Sequence, residues 1–233
     1  MHVKAFLHRF AWGLYLPLAV VATPANAAAG VAGTMSTPAA LSTPSATSSE
    51  AEKFVQANID KGFLILNNKE LDAAERRRQF REFLFTLVDT KRIALFTLGQ
   101  YARQATGDDL EMFLAAYDNF VAAMVQGYFD WYKGEDLRVA NSAARSADDT
   151  VVFADILGPN GSRRFRAGFR VRLDSNGKNV VTDFQFEGVW FALNHRAEFT
   201  SYLQRHNGSF AGLTTELDKR TERFKNDWAP PAK

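Results

Sequence analysis

Beyond residue 27 the chain keeps two histidines, His195 and His206. They are too far apart to form the paired ligands of an H-E-x-x-H zinc site. There is no cysteine, so no thiolate is available as nucleophile or ligand and no disulfide can form. The serine of Gly208-Ser209-Phe210-Ala211-Gly212 has the wrong neighbours for a G-x-S-x-G nucleophile elbow. No Walker loop and no G-x-G-x-x-G run is present. Asp174-Ser175-Asn176-Gly177 opens like a calcium loop but lacks the later ligands; Asn-Gly at its end fits a hairpin turn. Asp148-Asp149 fits a solvated turn. The expectation is a protein that is not an enzyme, with no catalytic residues, no metal and no cofactor.

What the chain has in quantity is aromatic mass: 20 Phe, 6 Tyr and 4 Trp in 233 residues. These can form a filled core or line a cavity, and composition does not separate the two. A hydrophobic share of 46% is enough for one domain with a sizeable core. The start is expected to lie outside that domain. Lys4 and Arg9 precede a short apolar run that ends at Ala25-Asn26-Ala27, the three parts of a secretory signal peptide. The run is too short for a comfortable membrane span. Cleavage after Ala27 removes two of the 28 basic residues and none of the 26 acidic ones. The exported chain is then formally neutral, and with a periplasmic location this argues against nucleic acid as a partner. Residues 28–48, rich in Ala, Ser, Thr and Pro, are expected as a flexible linker. A domain over 49–228 and a tail over 229–233 complete the division.

The elements that must place the aromatics follow from periodicity. Ser49-x-x-Glu52 has the pattern of a capping box, followed by Val55, Ile59, Phe63 and Leu66 at helical spacing. Asp72 and Glu75 open a second helix with Phe80, Phe83, Leu84, Leu87 and Val88 on one face. Ile93 and Phe96 continue on a third segment. Leu110, Phe113, Leu114, Tyr117, Phe120, Val121, Met124 and Tyr128 mark a long amphipathic helix. From about residue 136 the period becomes two. In 163–174, Phe165, Ala167, Phe169, Val171 and Leu173 alternate with Arg164, Arg166, Arg170 and Arg172, which predicts an antiparallel strand with one buried face. Beyond Asn176-Gly177, Val180, Phe184 and Phe186 are expected to point inward. Phe199, Tyr202 and Leu203 return to helix, ended by Asn207-Gly208, and Phe210, Leu213, Leu217 and Phe224 describe the last one. Helices, then hairpin strands, then helices predict an α+β domain with helices on one face of an antiparallel sheet. The arginine face is either a wet, solubilising surface or a docking face for an acidic partner or an anionic head group.

The order of "ERRRQFREFLFTLVDTKRIALFTLGQYARQAT", "FLAAYDNFVAAMVQGYFDWY", the strands and "FQFEGVWFALNHRAEFTSYLQRHNG" resembles the periplasmic phospholipid carriers of the Mla type, also called toluene-tolerance auxiliary proteins. Glu187-Gly188-Val189 followed by Asn194-His195-Arg196 and Phe199 carries most of the likeness. Asp89, Ile93, Ala94, Leu98 and Gly99 carry the rest, over about residues 50–220. The resemblance implies a shuttle that moves phospholipid between an outer-membrane lipid complex and an inner-membrane ABC transporter complex, with the acyl tails in an apolar cavity between helices and sheet. Apolar periodicity and that cavity location nominate Leu84, Leu87, Phe113, Tyr117, Phe120, Met124, Phe153, Phe165, Phe169, Phe184, Phe186, Trp190 and Phe199 as its lining. Arg164, Arg166, Arg170 and Arg172 are nominated for partner docking. Some relatives are associated with hopanoids, and Trp190 stands where the family usually has a small residue, so a hopanoid or other polycyclic lipid is the alternative cargo. An envelope adaptor with a solid core is the second alternative.

Overall fold

The computed structural model describes residues 46–131, 136–158 and 160–227; the expected signal peptide and most of the expected linker lie outside them. The first helix, α1 (Ala46–Leu66), begins before Ser49, which therefore sits inside the helix rather than at its cap. In α2 (Ala73–Leu87) the Asp72 side chain accepts from the Glu75 N–H, as its position predicts. Asp89 does the same for α3 (Thr90–Thr97), accepting from the Arg92 N–H. A 3-10 turn, Gly99–Arg103, leads to the long α4 (Gly107–Trp131).

Five strands follow in simple up-and-down order: β1 (Asp136–Ser146), β2 (Asp149–Leu157), β3 (Arg163–Leu173), β4 (Asn179–Phe186) and the two-residue β5 (Val189–Trp190). Each pairs antiparallel with the next. Two more helices, α5 (Phe191–Arg205) and α6 (Phe210–Asp227), complete the α+β domain. Asn207 and Gly208 take positive φ after α5, the left-handed stop expected of Asn-Gly.

Opposed residues of an antiparallel ladder share a face. One face carries Val152, Ala154 and Ile156 opposite Phe169, Ala167 and Phe165, and then Phe184 and Phe186 opposite Phe169 and Ala167. The other carries Arg166 opposite Asp155, Arg170 opposite Val151 and Asp183, and Arg172 opposite Asp149. A register shift lies between Arg170 and Val171: Asp183 pairs with Arg170 but Val181 pairs with Val171. Thr182 is the extra residue of a β-bulge, and its hydroxyl donates to the Arg170 carbonyl. The bulge overturns the expectation for Val180, which is opposite Arg172 and so shares the arginine face.

Apolar packing divides in two. A helical cluster joins α3, α4, α5 and α6 through Ile93, Leu98, Phe113, Tyr117, Phe120, Phe199, Leu203, Leu213 and Leu217, and no strand residue belongs to it. A smaller cluster joins α1 to the apolar sheet face: Ala51 and Val55 against Val152 and Val171, with Phe54, Ile59, Val139 and Phe169 around them. The β1 backbone is tied to α1 as well, the Val139 N–H donating to the Gln56 side-chain oxygen at 2.9 Å. α2 lies against α1 at Gly62, where even a Cβ would touch the Phe80 and Phe83 rings at 3.5 Å. At its end, Val88 bridges Val181 of β4.

Candidate functional site

The nominated lining residues fall into three groups. Phe113, Tyr117, Phe120, Met124 and Phe199 lie in the helical cluster. Their rings interlock: Phe113 meets Tyr117 at 5.9 Å and Phe199 at 6.2 Å, and Tyr117 meets Phe199 edge-on at 6.3 Å. A side chain bordering a cavity wide enough for an acyl chain would carry accessible surface toward it. Phe113 and Tyr117 have 0% and Phe199 has 1%. They are packed core in this structure, and the long helix offers no open wall there.

Leu84, Leu87, Phe165, Phe169 and Phe184 behave differently: all are only half-buried. Leu84 and Leu87 share a face of α2 with Phe80, between the α1 contact and the Val88 bridge to β4. Phe165, Phe169 and Phe184 stand on the apolar sheet face, where Phe169 meets Phe184 at 5.5 Å and Phe165 meets Phe186 at 5.4 Å. Phe186 itself is buried. These five are thus apolar side chains without full burial. Phe54 and Ile59 of α1 belong with them through their contact with the sheet cluster. The helical period of the sequence includes Ile59 but not Phe54, and it does not show that the helix meets the sheet.

Phe153 and Trp190 are not part of this group. Phe153 is opposite Gly168, on the arginine face, with the Arg166 guanidinium 5.8 Å from its ring. Trp190 is opposite Gln185, whose side chain crosses the same face so closely that a Cβ on Gly168 would clash with it at 2.5 Å.

The arginines of β3 are occupied by their own sheet. Arg166 donates to Asp155 at 2.8 Å, Arg170 donates to both oxygens of Asp149, and Arg172 reaches Asp148 at 3.4 Å. These hydrogen bonds hold the Asp149 and Asp155 carboxyls below their ordinary range. Arg164 is exposed, its stem lying over Gly158.

His195 is buried among Phe191 at 3.9 Å, Phe120 at 5.2 Å and Phe199 at 5.2 Å. Burial, with the nearby Arg220 charge, pushes its pKa down to about 3, so the ring is neutral and acts as an aromatic plate. Its Nδ1 and the Tyr117 hydroxyl have no hydrogen-bond partner. Burial, helped by Asp183 and Asp118, pushes the Tyr117 phenol up. Among the described residues no group of three or more His, Cys, Asp or Glu is placed to hold a metal.

The chain matches the model of the MlaC protein family over residues 56–219. It belongs to that family. The match spans the α1 to α6 region just described. A search of curated proteins by sequence finds no match. Among solved structures, the chain resembles a phospholipid-binding protein from Ralstonia solanacearum in complex with a phospholipid, with a TM-score of 0.61 at 20% identity, over 73% of this chain and 98% of that one. At that identity the likeness speaks for the fold.

Within this MlaC-family chain the motif around Glu187-Gly188-Val189 has a structural role. Glu187 and Gly188 both take positive φ, the requirement of a two-residue hairpin turn. Glu187 tolerates it because it is tied twice to β3: its N–H donates to the Arg166 carbonyl, and its carboxylate accepts from the Arg166 N–H. The turn aims the chain from β4 into α5. Trp190 at the start of α5 supplies no side-chain cap. Asp183 of β4 does so from across the sheet, accepting from the Ala192 N–H at 2.9 Å and from the Phe184 N–H at 2.8 Å. Burial pushes the Asp183 carboxyl up, against those two donors and Arg170. No local pattern marks Asp183 as a cap, since its helix begins eight residues later.

Proposed function

We propose that the chain is a non-enzymatic lipid carrier of the periplasm. It would take the acyl tails of a phospholipid into the apolar region between α1, α2 and the β3–β4 face, and exchange that lipid with an outer-membrane lipid complex and an inner-membrane ABC transporter complex. The observation that carries the reading is the division of the apolar core, which leaves Leu84, Leu87, Phe165, Phe169 and Phe184 half-buried outside the closed helical cluster. MlaC-family membership and the fold shared with a phospholipid-bound protein support it.

The chemistry suits a protein without a catalytic set. Hiding an acyl chain of about sixteen carbons from water is worth on the order of 12 kcal/mol, at about 0.8 kcal/mol per methylene. No bond is made or broken in crossing an aqueous space, so the protein has to supply only a dry apolar surface. The leader read in residues 1–27 would place the chain in that space. Trp190 faces away from the apolar sheet face, which supports the diacyl reading over the alternative of a hopanoid or other polycyclic lipid.

Native mass spectrometry of the purified chain, followed by solvent extraction, tests the proposal. A stoichiometric diacyl phospholipid is expected. A stoichiometric hopanoid would keep the carrier and change its cargo. A folded chain that carries no lipid and takes none up from vesicles would overturn the reading in favour of an adaptor with a solid core.

A further inference from the structure

A second surface of the molecule combines charge and exposed apolar side chains in a way the arginine strand does not. α3 and the turn after it pack against α5. A Cβ on Gly99 would meet Thr200 Cγ2 at 2.8 Å and Arg196 Nε at 3.3 Å. The Arg196 guanidinium lies 4.8 Å from the centre of the Phe96 ring. Phe96 is 39% exposed, Leu193, three residues before Arg196, is 55% exposed, and Val189 just ahead of α5 is 43% exposed.

Lys91, Arg92 and Arg196 on the same two helices are exposed, and none of them forms an ion pair among the described residues. Neither nearby acidic side chain forms an ion pair with them. Asp89 caps α3, and Glu198 is held by Arg220 at 2.6 Å. The run from Thr90 to Ala105 contains no Asp or Glu at all. A formally neutral mature chain therefore concentrates uncompensated positive charge where it also exposes a phenyl ring and two aliphatic side chains.

We infer that this α3–α5 strip docks the protein directly on an anionic lipid bilayer. Cations at the head-group level are attracted by the negative surface potential, by about 1 kcal/mol for each Lys or Arg. Single apolar tips between them can enter the head-group boundary. The three exposed apolar side chains stand on α3, α5 and the residue pair before α5, with long cationic side chains on the same helices. That arrangement fits a fluid surface whose charges rearrange, better than a rigid protein partner, whose stable interface buries about 800 Å² per side with fixed complementarity. The inference goes beyond the carrier reading, since the strip lies outside the region proposed to hold acyl tails.

Co-sedimentation of the purified chain with vesicles of equal parts phosphatidylglycerol and phosphatidylcholine, against pure phosphatidylcholine, tests it. Association is expected with the anionic vesicles, and it should weaken as salt is raised. The double variant R92E/R196E should lower partitioning about tenfold or more, and Leu193→Ser should lower it several-fold with charge unchanged. Leu193 is exposed, so that variant remains informative if the double charge reversal does not fold. Equal partitioning of Leu193→Ser and the original chain, or equal binding to neutral vesicles, would overturn the inference. So would variants that sediment normally with vesicles but lose contact with a membrane protein complex. Lipid extracted from the same samples reports the carrier reading separately. A chain without cargo that still binds anionic vesicles would count against the acyl site and not against the docking strip.

Discussion

Phe113 and Phe169 are the same residue type, and each lies on the apolar face of a regular element. Phe113, on α4, has no accessible surface and touches Tyr117 and Phe199. Phe169, on β3, is half-buried and shares its exposed side with Phe184. The helical half closes on itself because four helices can present apolar stripes to one another from several directions. The sheet half does not, because a face offers its side chains in one direction only and α1, which meets it at Val152 and Val171, leaves Phe165 and Phe184 half-buried. Identical side chains are therefore closed core in one place and half-exposed in the other. Exposure after packing, rather than hydrophobicity, is what tells them apart.

Several changes would break or sharpen this contrast. The largest effect is expected on lipid content: Phe169→Asp should reduce extractable lipid to background while the far-ultraviolet circular dichroism stays that of a folded chain. Retained lipid in the folded variant would remove β3 from the site. Phe113→Ala should instead cost about 3–5 kcal/mol of stability by leaving a cavity in a closed core, read by urea denaturation, with lipid per folded molecule unchanged. A loss of lipid at full stability would mean that the helical cluster opens to the ligand.

The pH response comes next. His195 has a folded pKa of about 3, against about 6.5 in an unfolded chain. Between those values only the unfolded state binds the proton. The stabilisation is complete above pH 6.5 and is lost as pH falls toward 3, by up to about 1.4 kcal/mol per pH unit. His195→Phe should flatten that slope in denaturation curves taken from pH 7 to about 4; an unchanged slope would mean that the imidazole reaches water. Asp183→Ala should cost about 1 kcal/mol through the lost cap of α5, and it should loosen amide protection at Ala192 in hydrogen exchange. Smallest of all, Arg166→Ala should cost no more than about 1 kcal/mol, since its pairing with Asp155 is partly solvated. A larger loss would make the arginine face a structural layer in its own right.

Legibility varied with the range of the interaction. The helix start at Asp72 and the left-handed stop at Asn207-Gly208 depend on neighbours a few residues away, and local chemistry announces them. Alternation in 163–173 announced a strand with an arginine face. The Thr182 bulge, which moves Val180 to the other face, did not show, because a bulge is set by pairing with β3 and not by the composition of β4. Phe153 was nominated with the apolar face although its ladder partner is Gly168, since a strand with apolar residues on both sides carries no mark of which side meets the helices.

The sequence by itself determined the α+β order, the family motifs around Asp89 and Glu187, and the lack of any nucleophile, thiol or metal-binding pattern. Those are properties of residue type and short spacing. Only the tertiary structure decided which aromatics close into a core and which stay half-exposed. It also decided that Arg166 and Arg170 of β3 pair with aspartates of β2, while Lys91, Arg92 and Arg196 have no ion partner among the described residues. The physical reason is that burial and charge compensation depend on which surfaces meet, and those surfaces come from residues far apart in the chain.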